Sequence, residues 1–166
     1  MQENKKYWIW LTRLIETVNL KTIYTLLNIY NKPEKIWNLT TKELQKNGIS
    51  KNEIIEIRKI EYRQNLENYL YYMKKEKIDL ITFIDEKYPQ KLLNIENKPI
   101  AIYTRGNIDI LNKFAIGIVG CRLCSNYGKL VAEEFSHKLA LKDVVIVSGL
   151  ARGIDTCSHI GCIKAK

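Results

Sequence analysis

Apolar residues in the first 78 positions recur at spacings of three and four. Trp8, Leu11, Leu14, Ile15 and Val18 share one helical face, and Ile23, Leu26, Leu27 and Tyr30 repeat the pattern after Leu20. Pro33 suits the first turn of a short helix over 34–39, because the amide it lacks would have no helical partner there. Thr40-x-x-Glu43 and Ser50-x-x-Glu53 match the capping box, in which a hydroxyl and a carboxylate satisfy free amides at a helix start. The second box opens a long helix expected over about 51–77, with Ile54, Ile57, Leu66, Tyr69, Leu70 and Met73 on its buried side. Asn47-Gly48-Ile49 is the clearest turn between helices. A helix, a glycine turn and a helix can bind a DNA backbone through turn amides, but Thr17-Val18-Asn19-Leu20 contains no glycine for a second such hairpin. The favoured reading of residues 1–78 is a small helical packing domain.

The pattern changes near residue 78. IDLITFI reads as a strand, YPQKLL as a turn into a short helix, and PIAIYTRGN as a second strand closed by Arg105-Gly106-Asn107. FAIGIVG, over 114–120, carries no charge and ends in glycine. The segment 125–143 is amphipathic, with Leu130, Val131, Phe135 and Leu139 on one face. VVIVSG, over 144–149, is again uncharged. Strand, helix, strand is a βαβ unit, and all-apolar strands suit a parallel sheet covered on both faces. The fold class expected is α/β: a helical domain over 1–78, then a parallel-sheet domain over 79–166.

Composition adds a partner class. With 46% hydrophobic residues a packed core is expected, and a net charge of +9 favours an anionic partner such as nucleic acid or a membrane surface. Much of that lysine is equally consistent with ordinary solvated surface. The start, MQENKKYWIW, mixes Glu3 with its lysines and leads into no long apolar run, so no signal peptide is read. No stretch approaches the roughly 20 apolar residues that span a bilayer. The expected setting is cytoplasmic, without a membrane partner and with reduced thiols at Cys121, Cys124, Cys157 and Cys162.

Topology predicts where chemistry would gather. In a right-handed βαβ unit the strands run parallel, so their C-terminal ends share one edge of the sheet. Gly120-Cys121-Arg122 follows the first strand. Ser148-Gly149-Leu150-Ala151-Arg152-Gly153 follows the second. Open α/β sheets bind ligands along that edge, and helix starts there offer free amides and partial positive charge to an anion. Arginine adds a guanidinium that grips phosphate through two bonds. The spacing is not GxGxxG, so the usual dinucleotide fingerprint is absent. Asp155 would repel a phosphate, and its expected work is local: capping the last helix or pairing with Arg122 or Arg152.

Cys121-x-x-Cys124 sits where a thioredoxin-like motif would sit. All three prolines precede it, so the cis-proline such folds place opposite the motif is missing. Together with Cys157-x4-Cys162 the spacing is loose for a four-thiolate zinc site. Small buried thiols are the favoured reading, and no metal, cofactor or catalytic residue is assigned. His137 is expected exposed on its helix, and His159 structural.

The two segments IVGCRLCSNYG and VVIVSGLARGIDTCSH together resemble the DprA/Smf family of DNA-processing proteins. Its pattern is an apolar strand, Gly-Ser-Arg, Tyr-Gly, a helix, then Val-Ser-Gly-x-Ala-x-Gly-Ile-Asp and a helix with His. Gly120, Arg122, Tyr127, Gly128, Ser148, Gly149, Ala151, Gly153, Ile154, Asp155 and His159 match it. Upstream, Tyr88-Pro89, Leu92-Leu93 and Tyr103-x-Arg105-Gly106 are similar to the family's lead-in. Cys121 departs from the usual Ser or Thr and removes a hydroxyl from the turn, and Cys124 replaces a small residue.

The resemblance implies a SAM or helix-hairpin-helix-like opening and an incomplete Rossmann-like domain. In the family that domain continues well past the equivalent of position 166, so the chain reads as a fragment of the pattern. It implies a non-enzymatic protein that binds single-stranded DNA and helps load the RecA recombinase in transformation, with homodimers among full-length members. Carried over by position, Arg122 contacts phosphate, with Arg152 beside it, and Gly120, Ser148, Gly149 and Gly153 let the backbone approach. Two alternatives stay open. One is a nucleotide or phosphosugar enzyme of the LOG (lysine-decarboxylase-like) group, whose Pro-Gly-Gly segment is absent here. The other is an interaction module working through the helical part.

Overall fold

The computed structural model describes residues 2–165, which form two compact units, Met1–Ile108 and Asp109–Lys166. The first unit opens with α1 (Gln2–Leu14), α2 (Leu20–Tyr30), α3 (Pro33–Asn38) and α4 (Thr41–Lys46). It continues with α5 (Lys51–Arg58), α6 (Ile60–Arg63) and α7 (Leu66–Lys75). β1 (Ile78–Thr82), α8 (Gln90–Leu93) and β2 (Ala101–Arg105) complete it, and a 3-10 turn, Ile108–Ile110, follows. Both capping boxes form, at the starts of α4 and α5. The Thr22 hydroxyl, and then that of Ser50, hold the Glu53 carboxyl below its ordinary range.

α1 is buried on more sides than its spacing predicts. Trp8, Ile9, Trp10 and Leu11 are all buried in succession, whereas Ile15 is exposed. β1 and β2 pair antiparallel, Leu80 opposite Tyr103. Leu80 and Ile100 belong to the same buried cluster as Trp10, Leu14 and Met73. Residues 79–108, which the sequence reading places in the second domain, therefore lie in the first compact unit: helices cover the apolar face of this strand pair.

The long helix expected over 51–77 is three helices. Lys59 is extended (φ −57°, ψ 127°) and Asn65 is left-handed (φ 61°). Two arginines hold the breaks. The Arg63 guanidinium lies 4.3 Å from the Trp37 ring centroid and 5.4 Å from that of Trp10, and it donates to the Trp37 carbonyl at 2.9 Å. Arg13 donates to the carbonyls of Glu61 (2.8 Å), Tyr62 (3.3 Å) and Gln64 (3.4 Å), groups that an unbroken helix would bond internally. Tyr69, expected on the buried side, is exposed, with Arg13 5.1 Å from its ring centroid.

The second unit contains β3 (Ala115–Gly117), α9 (Asn126–Ala140), β4 (Val145–Val147) and α10 (Ile154–Lys164). β3 and β4 pair in parallel, Ile116 opposite Ile146, as a βαβ unit requires. Coverage on both faces is not met within this unit: Ile146 is buried, but Phe114, Val119 and Val147 are exposed. The apolar face expected on α9 is also corrected. Leu130 is 69% and Phe135 63% exposed, while Ala132 and Ser136 are buried. Close helix contact uses small residues: a Cβ at Gly161 would lie 2.1 Å from the Glu133 carbonyl oxygen and 2.2 Å from Ser136 Oγ. Gly161→Ala must push α10 off α9. We expect a loss of about 1–3 kcal/mol in chemical denaturation, in spite of alanine's better helix propensity.

Candidate functional site

Parallel pairing delivers the ends of β3 and β4 to one edge, as the topology predicts. The Ile118 amide donates to the Val147 carbonyl at 3.0 Å, and the Ser148 hydroxyl returns a bond to the Ile118 carbonyl at 2.6 Å. The two strands thus leave the sheet tied together. Beyond that point Asp155, buried in the first turn of α10, joins both loops. Its carboxylate accepts from the Gly149 amide at 3.1 Å and from the Gly120 amide at 3.4 Å. Asp155 therefore binds backbone amides of the two loops, neither capping α10 nor pairing with Arg122 or Arg152 in the bonds found among the described residues.

Gly153 closes the junction. Its φ is +88°, a conformation costly for any residue with a side chain, and a Cβ there would lie 2.3 Å from the Cys121 carbonyl oxygen. The Ile154 amide donates to that same carbonyl at 3.3 Å. The loops after β3 and β4 are thus one interlocked piece. Gly120, Ser148, Gly149 and Gly153 are all placed in it, and their hydrogen bonds and close approaches found among the described residues are internal to the protein.

The arginines stand outside this lock. Arg122 and Arg152 are exposed on the two loops, accompanied by exposed Leu123, Tyr127 and Leu150. Leu150 holds a left-handed φ of 56°, which keeps an apolar side chain in solvent at some backbone cost. Both expected helix starts reach the edge. Ser125 caps α9 by accepting from the Gly128 amide at 3.1 Å, whereas α10 has no side-chain cap. What the edge offers a ligand is therefore two guanidinium groups on a rigid backbone, flanked by apolar and aromatic surface.

The cysteines depart from expectation: Cys121 is exposed rather than buried, and Cys124, Cys157 and Cys162 are half-buried, all as free thiols. Among the described residues no group of three or more His, Cys, Asp and Glu is placed to hold a metal ion. His137 is half-buried, and the His159 Nε2 is buried without a hydrogen-bond partner among the described residues. No helix of the described residues is long and apolar enough to cross a membrane.

The role sequence reasoning missed is that of Asp155 as the tie between the loops. Part of its signal is local, a carboxylate six residues after Gly149, but its bond to Gly120 spans 35 residues and leaves no mark in the spacing.

Comparison with known proteins agrees with the motif reading. The sequence pattern of the family described as DNA recombination-mediator protein A matches residues 79–166. The DNA processing protein DprA of Streptococcus pneumoniae is 28% identical, over 78% of this chain and 55% of that protein. The DNA processing protein DprA of Bacillus subtilis is 35% identical, over 76% of this chain and 41% of its own length. The X-ray structure of the Streptococcus pneumoniae protein superposes with a TM-score of 0.69 and 26% identity, covering 96% of this chain and 54% of that one. The chain thus spans about half the length of these relatives, or less.

Proposed function

Because the chain belongs to the DprA/Smf family, we propose that it binds single-stranded DNA at the edge where the loops after β3 and β4 meet, without catalysing a reaction. The observation that carries this reading is the interlock through Asp155, which fixes Arg122 and Arg152 on one rigid piece of backbone. A phosphate backbone is a repeating anion, and guanidinium groups recognise it through paired, charge-assisted bonds. With the Gly120 and Gly149 amides engaged by Asp155, the arginines carry the anion contact and the glycines keep the loops close enough to share it. Beyond the strand itself, RecA loading and homodimerisation are part of the same proposal and rest on family membership.

The test is equilibrium binding of a fluorescent oligothymidine strand at several salt concentrations. Arg122→Ala should weaken binding about tenfold at low salt, the scale of a charged hydrogen bond. The dependence of log K on log salt should flatten by about one ion, because one fewer phosphate is neutralised. Equal affinity and slope in wild type and variant would overturn the assignment.

A further inference from the structure

Away from the loops, α7 carries a face that the core does not use. Asn68, Tyr71, Tyr72 and Lys75 stand three and four residues apart, which makes them one stripe of a helix. Tyr71 is 72% and Tyr72 57% exposed, and Asn68 and Lys75 are exposed beside them. The core contacts of α7 come from buried Leu66 and Met73, with half-buried Leu70 packed beside them. The two rings are therefore held out on a helix whose other side is fixed.

The charges around them are unbalanced. Glu67, Glu76 and Asp79 are the nearby carboxylates in the chain, and each is approached by a cation: Lys6 at 3.9 Å, Arg105 at 3.9 Å, and Lys5 in hydrogen-bond contact. Lys74, Lys75 and Lys77 are exposed in addition. Tyr71 and Lys74 also line a groove of about 560 Å³ with Lys5, Lys6 and Leu70, and the groove's two carboxylates, Glu67 and Asp79, are the ones Lys6 and Lys5 approach. Aromatic faces interleaved with surplus lysine suit a ligand that has flat rings and a regular negative charge. Protein interfaces, by contrast, are depleted in lysine at their centres.

We infer that this face of α7 is a second contact for single-stranded nucleic acid, with bases stacked on Tyr71 and Tyr72 and phosphates held by Lys74 and Lys75. The inference rests on the reading that a single strand is the ligand of this protein, and it adds a contact in the first unit. Stacking on such rings tolerates any base, so the contact is independent of sequence.

The whole chain is titrated with fluorescent oligothymidine. Y71A/Y72A should weaken binding about tenfold or more, the scale of losing base–aromatic stacking. Y71F/Y72F should bind as wild type, because stacking needs the ring and not the hydroxyl. Lys75→Ala should flatten the salt slope by about one. Wild-type affinity in a folded Y71A/Y72A overturns the inference, and if Arg122→Ala is still impaired the loop site stands alone. No binding by the wild type overturns both. A loss of self-association in Y71A/Y72A, at unchanged DNA affinity, assigns the face to a second copy and overturns the inference. Should Y71A/Y72A unfold, photocrosslinking of wild type to a 5-iodouracil strand decides: adducts on Tyr71 or Tyr72 support it, and their absence overturns it.

Discussion

Asp155→Ala should loosen the second unit by about 2–4 kcal/mol, because it strips the acceptor from two amides at once. Each part-buried donor left without a partner costs about 1–3 kcal/mol. The Gly120 and Gly149 amides both lose theirs. Hydrogen exchange should show protection falling at these two amides and through the start of α10. Asp155→Asn should fall between the two, since it keeps one acceptor oxygen and turns an NH2 toward the other amide. Trp8, Trp10 and Trp37, the three tryptophans of the chain, lie in the first unit. Indole fluorescence should therefore stay as in wild type while far-ultraviolet circular dichroism records an earlier loss of helix. A variant as stable as wild type would mean that the carboxylate does not hold the loops together.

The largest loss in the first unit is expected from Trp10→Ala. Trp10 is 0% exposed and packs edge-on against Trp37, ring centroids 5.1 Å apart at 79°. Truncating a buried aromatic of this size costs about 3–5 kcal/mol. That is a large part of the 5–15 kcal/mol typical of a whole domain. The Trp10 indole Nε1 has no hydrogen-bond partner among the described residues. Trp10→Phe therefore removes a donor that contributes no bond and should cost far less than Trp10→Ala. Urea titrations of the two variants check this, and equal losses would show that the ring's volume is not what the core needs. Arg63 gives the reason for the contrast: it sits against both rings, so a missing one leaves a guanidinium facing a void.

Local chemistry was legible in the sequence wherever it is local in the structure. Thr40 and Ser50 announce helix starts because a capping box is closed within four residues. The parallel pairing of β3 and β4 follows from two uncharged runs around an amphipathic segment. The breaks at Lys59 and Asn65 were not legible, because neither residue is a helix breaker in itself. What interrupts the helix is Arg13 and Arg63 reaching carbonyls and rings supplied by other parts of the chain. The packed face of α9 was misread for a different reason. Apolar periodicity finds large side chains that bury area, whereas α9 and α10 approach through Ala132, Ser136 and Gly161. At the candidate site the glycines and arginines were visible as a pattern. The use of the glycine amides depended on where Asp155 points, and spacing alone leaves that open.

The Arg63 clamp also makes the bends of this segment conditional on residues outside it. Nothing between Lys51 and Lys75 is Pro or Gly, so before the clamp exists the segment is free to run as one continuous helix. Its native kinks place Arg63 against the paired rings of Trp10 and Trp37, which α1 and α3 supply. Residues 51–75 cut away from α1 and α3 should therefore lose both bends, and circular dichroism of that peptide, read against the helix content of the same residues in the fold, checks it.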